Sequence, residues 1–437
     1  MRFTRATGTF VTAISLVASG ILAATPVSAV TKTVVKIQTF GDVIQMDMVA
    51  AYEAANPEID IQVAKSSVDN IVTVIQTQCL TGAGPDIVAI EIAYSGYFRS
   101  SRRPSCFEDL NGMTPSASTI KGDYLDWRWD QGVALSNSTT PGRVIGIPTD
   151  VGGNAIAYRV DMFKAAGLPT ARDKVSALWP TWDKFIATGK AYKLKTKKAF
   201  FDNSGTIFNA VLNQGTAKYY AENGSLVYSS NPQVKLAFNT ATKAMLTSFP
   251  AKTKLTKDIG ARIAPFTSDW VAGIKKNAFA TILAPAWMMD YIKKNAASTK
   301  GKWDIAAIPG GGGNWGGSQL AIPSRAKQKQ QAWDFIRWYL APAQQLTVFK
   351  KHGFFPSTKT LYTNSAFLNF KDPFFNNAPI AQIYSKSVLA LKPLVEGEKQ
   401  RTIDQIFGQA LSRVARGAQS PSAAWTQTMA DIKKTVG

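Results

Sequence analysis

Past residue 30, the apolar positions change period about every dozen residues. Val34, Val35 and Ile37 predict a short strand over 34–37. Met48, Ala51, Tyr52 and Ala55 then recur on one helical stripe. Asn56-Pro57 ends that helix, because a proline disfavours helical backbone in the residue before it. Residues 59–63 alternate apolar and polar, which is a strand period, and 69–80 return to helical spacing through Ile71, Val72, Ile75 and Cys79. Gly82-Ala83-Gly84-Pro85-Asp86 breaks the pattern, and 87–90 is wholly apolar, as in strands buried on both faces of a parallel sheet. Strand, helix, strand, helix, strand predicts an α/β fold of the doubly wound kind. Gly310 to Gly313 reads as a loop, and no GxxxxGK phosphate loop occurs in the sequence.

In such sheets ligands bind beyond the carboxyl ends of the strands, so the residues that follow each strand are the first site candidates. Phe40, Gly41 and Asp42 follow the first strand, and Glu91, Ile92 and Tyr94 follow the third. Pro148-Thr149-Asp150 follows a short apolar element at 144–147. Each set joins an aromatic or small residue to a carboxylate, which suits a ligand contact and an ordinary loop or cap equally.

The chain has 437 residues, 45% apolar and 11% aromatic, enough for two large lobes or three small domains. Its one histidine, His352, excludes zinc sites built from several histidines and leaves a Ser-His-Asp triad only that imidazole. His352 is expected to satisfy a loop or a helix end. Lys+Arg 50 against Asp+Glu 29 give +21, and setting aside Arg2 and Arg5 leaves 48 against 29, or +19. The lysines are scattered and densest at Lys193, Lys195, Lys197 and Lys198, which read as a solvated helix end or loop. This charge describes the environment more than the ligand, and a nucleic-acid partner, which would rest on charge alone, is not expected.

Residues 1–29 have the three parts of a secretory signal: Arg2 and Arg5, a mostly apolar run over 10–24, and Val27-Ser28-Ala29 at the cleavage site. That run is shorter than the about 20 residues of a bilayer span. No cysteine follows Ala29, so a lipid anchor is not expected. The mature protein is expected to be exported and soluble, in the periplasm or otherwise outside the cytoplasmic membrane. Export makes a Cys79–Cys106 disulfide chemically reasonable, stabilising by about 3–4 kcal/mol through loop entropy. The alternative is one buried thiol and one loop thiol.

Six segments in order then resemble the sequence blocks of extracellular solute-binding proteins serving carbohydrate ABC importers, the maltose-binding-protein-like group, family 1. They are Gly84-Pro85-Asp86-Ile87-Val88; Ile147-Pro148-Thr149-Asp150 running into Ala157-Tyr158-Arg159 and Met162 to Leu168; Pro180-Thr181-Trp182-Asp183-Lys184-Phe185; Ala278 to Ile282 through Ala286-Trp287; Ile308-Pro309 with Trp315 to Ser318, Leu320 to Ile322 and Ala332 to Ile336; and Gly353 to Pro356. Tyr158-Arg159-Val160 departs from the tyrosine-asparagine-lysine of the group's central block, and the lipid-anchoring cysteine is missing.

The resemblance implies two α/β lobes joined by hinge strands. The N-terminal lobe would hold 30–148 plus 319–362 and the C-terminal lobe 152–315 plus 365–437, with hinges near 149–151, 316–318 and 363–364. Ligand would sit in the interlobe cleft, the lobes would close on it, and the closed form would engage ABC permease subunits. No cofactor or metal is implied, and a monomer is expected.

A sugar ring has an apolar C–H face and a rim of hydroxyls, so aromatic faces and carboxylates together suit it. Trp287 and Trp315 match family positions facing the cleft and are expected to stack on the ligand. Asp42, Glu91 and Asp150 are expected to accept its hydroxyls, with Gly317 and Ser318 contributing backbone and hydroxyl contacts near a hinge. Phe40, Tyr94, Asn203 and Phe355 complete the candidate set. Trp127, Trp129, Trp182, Trp333 and Trp338 are expected in the core. Glu91 and Asp150 could converge as a glycosidase pair, but binding proteins show such pairs without turnover, so no catalytic residue is expected. The alternative within the fold is a polyamine, a sugar phosphate, or another small solute such as iron or an anion.

Overall fold

The computed structural model describes residues 31–245, 259–392 and 394–437, and the expected export signal at 1–29 lies outside them. Two sheets form. The first has the order β2-β1-β3-β9-β4, from β1 (Thr33–Phe40), β2 (Ile59–Ser66), β3 (Ile87–Glu91), β4 (Ile147–Pro148) and β9 (Ser318–Ala321). β1 runs parallel to β2 and β3, connected by α1 (Met46–Ala55) and α2 (Val68–Thr81), which is the succession expected. β9 returns antiparallel between β3 and β4. The second sheet has the order β6-β7-β5-β8, from β5 (Asn154–Arg159), β6 (Ala199–Phe201), β7 (Phe279–Pro285) and β8 (Trp303–Ala306). β6 is parallel to β7, and β5 runs against both β7 and β8.

Local chemistry sets these boundaries. The Ser67 hydroxyl accepts from the Asn70 amide to start α2, and Gly82 closes it in the left-handed region, φ 75°. The Cys79–Cys106 disulfide is formed and ties the last turn of α2 to the loop that follows α3 (Ile92–Arg99). Every position of β7 is buried, as is all of β3 except its last residue, Glu91. Trp129 and Trp333 are buried, while Trp127, Trp182 and Trp338 are half-buried against the same cores. One cluster packs Leu125, Phe349, Phe355 and Leu361 with Ala284, Phe367 and Tyr384. The expected boundary at 362–365 therefore passes through continuous packing.

Two chain segments cross between the sheets side by side. The Thr149 amide donates to Ser318 O (2.9 Å) and the Trp315 amide to Gly152 O (2.8 Å). A third segment joins them where the Val151 amide donates to Phe355 O (2.9 Å). A Cβ on Gly152 would lie 2.0 Å from Trp315 O, so only glycine permits this approach. Arg128 is buried here and holds both segments, donating to Asp150 O (3.0 Å) and Ser318 O (2.8 Å). His352 ends the helix Pro342–His352 and pairs with Asp47 at 3.0 Å, the helix-end role expected of it.

Candidate functional site: the cleft between the lobes

The crossing segments leave from the carboxyl end of β4 and arrive at the carboxyl-end edge of the second sheet, beside the ends of β7 and β8. The carboxyl ends of β1, β3 and β4 thus turn toward those of β6, β7 and β8. Phe40 and Asp42, Glu91 and Asp150 come from the first edge; Asn203, Trp287 and Trp315 come from the second.

On the second edge the rings gather. Trp287 and Trp315 meet edge to face, with centroids 5.8 Å apart, and the Trp287 indole N–H donates to Trp315 O (2.9 Å). Phe266 stacks on Trp287 (5.8 Å, 28°) and meets Tyr291 edge on (5.4 Å), yet remains 45% exposed. Its φ of 68° is in the left-handed region, which costs a phenylalanine about 1–2 kcal/mol and turns the ring out of the loop.

On the first edge, Glu91 accepts from the Ala93 amide (2.8 Å) and so caps α3. Burial, reinforced by Glu396 nearby and opposed by that amide, pushes its carboxyl up to about 7. Glu396 belongs to the other lobe. One of its oxygens takes Lys218 Nζ (2.5 Å), while Oε2 is buried with no partner among the described residues. Behind it Asp404 accepts the Tyr219 hydroxyl (2.9 Å), and burial pushes it up to about 6 against the pull of Lys218.

The lobes touch on both sides of this space. Asp42 bridges to Lys294 (3.2 Å) and to Lys65 within its own lobe (2.7 Å); Lys65 first, then Lys294, hold it below the usual carboxylate range. On the other flank Arg103 meets Glu398 (2.9 Å), and Arg401 reaches Asp69 (3.5 Å) beside the Tyr94 ring. α3 packs so tightly there that a Cβ on Gly96 would lie 2.1 Å from Glu396 O. Among the described residues no three His, Cys, Asp or Glu side chains gather as a metal site.

The profile of the bacterial extracellular solute-binding proteins matches residues 39–346. The chain belongs to that family. A solved extracellular solute-binding protein of family 1 is 33% identical, with a TM-score of 0.78 over 92% of this chain and 99% of its own. A lactose-binding protein of Rhizobium radiobacter is 26% identical over 68% of this chain and 67% of its own length. An ABC-transporter-associated binding protein from B. animalis subsp. lactis Bl-04, solved with β-1,6-galactobiose, shares the fold at 20% identity and a TM-score of 0.72, over 92% and 98% of the two chains. The likeness covers both sheets, and the two-lobe architecture is that of these binding proteins.

Within this binding-protein frame the expected site residues divide. Phe40, Glu91, Tyr94, Asn203, Trp287 and Trp315 are half-buried at the cleft edges, and Asp42 is exposed. Tyr94 gives its hydroxyl to Asp69, and the Asn203 side chain caps the helix Ser204–Leu212. Asp150 is 3% exposed, with its carboxylate already taken by the Thr149 hydroxyl (2.6 Å) and the Ser318 amide (3.1 Å); burial raises its pKa. Gly317 and Ser318 are equally enclosed, and Asp150 and Ser318 already spend polar groups on each other and on Thr149, so these three hold the hinge together. Phe355 is corrected outright. It is 0% exposed, packed among Phe349, Tyr362, Phe367 and Tyr384 in the core below the hinge. The candidates missed from sequence are Phe266, Asp69, Glu396 and Arg401. Asp69 follows β2 by three residues, the same signal that marks Tyr94 after β3, whereas Phe266, Glu396 and Arg401 follow no strand and carry no motif.

Proposed function

We propose that this protein captures a short oligosaccharide between its lobes and hands it to the permease of an ABC importer, without turning it over. The observation that carries the reading is the pairing of a partly exposed aromatic shelf with a buried carboxylate oxygen that has no partner among the described residues. Phe266, Trp287 and Trp315 form the shelf, and Glu396 Oε2 the waiting acceptor, with Glu91 opposite. Only Gly316 and Gly317 separate Trp315 from Ser318, whose backbone pairs with Glu91, so shelf and carboxylates share one cleft. A sugar's C–H face suits the rings, and its hydroxyls suit acceptors that lack donors. The sugar ligands named for the lactose-binding relative and for the galactobiose complex support this choice. The hinge residues Thr149, Asp150, Gly152 and Ser318 allow the two halves of the cleft to swing together. We further propose a monomer, exported by its leading segment.

The test is thermal unfolding of the protein lacking residues 1–29 against mono- and oligosaccharides, polyamines and sugar phosphates. Ligand at about 100 times its Kd adds about 2.7 kcal/mol, a plain shift in the melt. The reading expects a shift with one group of sugars and intact sugar recovered afterwards by mass spectrometry. A shift only with a polyamine or a phosphate, or a cleaved sugar, overturns it.

A further inference from the structure

The positive charge belongs almost wholly to one lobe. Residues 31–148 and 319–362 carry 16 Lys/Arg against 14 Asp/Glu, whereas 149–318 and 363–437 carry 32 against 15. Much of the excess collects at one edge of the second sheet. β6, β7 and β8 all start there and β5 ends there, because Ala199 is paired with Phe279, and Arg159 with Trp303. Lys197 and Lys198 precede β6, Lys275 and Lys276 precede β7, Lys300 and Lys302 precede β8, and Lys164 follows β5. The helix Trp182–Thr196 ends at the same edge with Lys193 and Lys195, and a Cβ on Gly167, just past Lys164, would lie 2.8 Å from Lys195 Nζ.

Two causes place cations here. Both helices that lead into β6 and β7 end at this edge, and helix C-termini favour positive side chains. The second cause is that local acid is spoken for: Asp161 is bound by Arg159 (2.5 Å), Asp304 by Arg172 (2.9 Å) and Asp372 by Lys293 (3.0 Å). Among the described residues other lysines make this lobe's lysine salt bridges, and of the nine in the belt Lys197 donates only to the Leu194 carbonyl (2.8 Å), so the belt's charge is not neutralised by these pairs. All nine are exposed except Lys193, which is half-buried. With strands spaced about 4.8 Å apart, the belt extends about 15 Å across the sheet. Leu194 stands in its midst, 73% exposed.

We propose that this lysine belt is a docking surface for an anionic lipid bilayer, holding the protein by the pole of its second lobe with the cleft free. Three observations favour a bilayer over a soluble polyanion. The belt is all lysine, a set of compact point charges suited to a diffuse sheet of phosphate rather than to fork-like recognition of one group. It is an outer sheet edge without interleaved aromatic residues, unlike the stacking grooves that hold nucleic acid strands. And Leu194 is an apolar side chain kept in water among charges, which an interface can bury and a dissolved polymer cannot. The attraction is screened beyond about 8 Å at physiological salt, so contact has to be close.

The experiment is co-sedimentation of the protein lacking residues 1–29 with phosphatidylcholine vesicles and with vesicles containing phosphatidylglycerol. Binding is expected only to the latter, and to fall steeply from about 0.05 M to about 0.5 M salt. A variant with Lys195, Lys197, Lys198, Lys275 and Lys276 changed to Gln should lose at least about tenfold in vesicle partition. A charge-matched variant with Lys36, Lys184, Lys327, Lys386 and Lys392 changed to Gln should stay within about twofold, and Leu194→Ser should weaken vesicle binding while leaving polyphosphate binding unchanged. Each variant's melt and sugar-induced shift report folding separately. Equal loss in the two five-lysine variants, binding to polyphosphate but not to vesicles, or an unaffected Leu194→Ser overturns the proposal.

Discussion

Phe266 illustrates how a binding surface can cost its own fold something. A phenylalanine at φ 68° is strained, and its ring remains 45% exposed while touching Trp287, Trp315 and Tyr291. Phe266→Ala should leave the free protein's stability within about 1 kcal/mol, since little burial is lost. It should weaken sugar binding at least about tenfold, the size of one lost stacking contact. Calorimetric titration beside a thermal melt checks both, and unchanged affinity would remove the ring from the site. Glu91 makes a second residue-scale case. Its folded pKa of about 7 lies above the ordinary value, so the folded state holds the proton more tightly. The stabilisation is complete below the ordinary carboxylate pKa and is lost as pH rises through 7. Glu91→Gln mimics the protonated form and should raise unfolding free energy by about 1–3 kcal/mol at pH 8, with the gap closing toward pH 4.5. A gap independent of pH would mean that burial does not govern this carboxyl.

At the scale of elements, α3 brings the two lobes into backbone contact. Its Gly96 lies against the carbonyls of Glu396 and Gly397 in the other lobe. Gly96→Ala brings opposing effects. Alanine favours the helix by about 0.5–1 kcal/mol, while its methyl cannot fit this contact, so the lobes would have to part to admit it. The free protein should melt no lower than the parent, and sugar affinity should fall at least about tenfold; equal affinity would show that closure does not use this contact. The disulfide acts on another element. Bridging residues 27 apart, it should contribute about 3–4 kcal/mol, read as the loss in urea unfolding of the Cys79→Ser, Cys106→Ser double variant.

For the whole molecule, the crossing segments set the available motion. Arg128 clamps two of them together, so rotation has to occur around that clamp rather than by separating the strands. Sugar should therefore lower the radius of gyration measured by solution X-ray scattering, with Gly96→Ala remaining expanded at saturating ligand. A radius unchanged by ligand in the parent would count against closure as the response. The surface ion pairs across the cleft, such as Asp42–Lys294, add little, since exposed pairs contribute about 0–1 kcal/mol.

Much of this was legible along the chain. Alternating and helical periods around Val35, Tyr52, Ile61, Ile75 and Ile87 report which face of each element meets the core, and burial is what imposes such periods. The ends of strands followed from the same pattern, which brings Phe40 and Glu91 to the cleft edge, whereas Trp287 and Trp315 came from the family resemblance. Sequence could not separate a carboxylate left at the cleft edge from one that satisfies a hinge. Asp150 and Glu91 both follow a strand, yet only the tertiary fold brings Thr149 and Ser318 onto Asp150. Nor could it place Phe355, since an aromatic next to a proline suits a cleft and a core alike. Glu396 and Arg401 lie more than 300 residues from Glu91 and Tyr94, and no local signal records a meeting across that distance. The sequence by itself determined the leading strand and helix succession and the family, because these depend on local period and motif. The tertiary structure alone decided which polar groups find partners and which are left to wait for a ligand, because partnership is a matter of packing between distant segments.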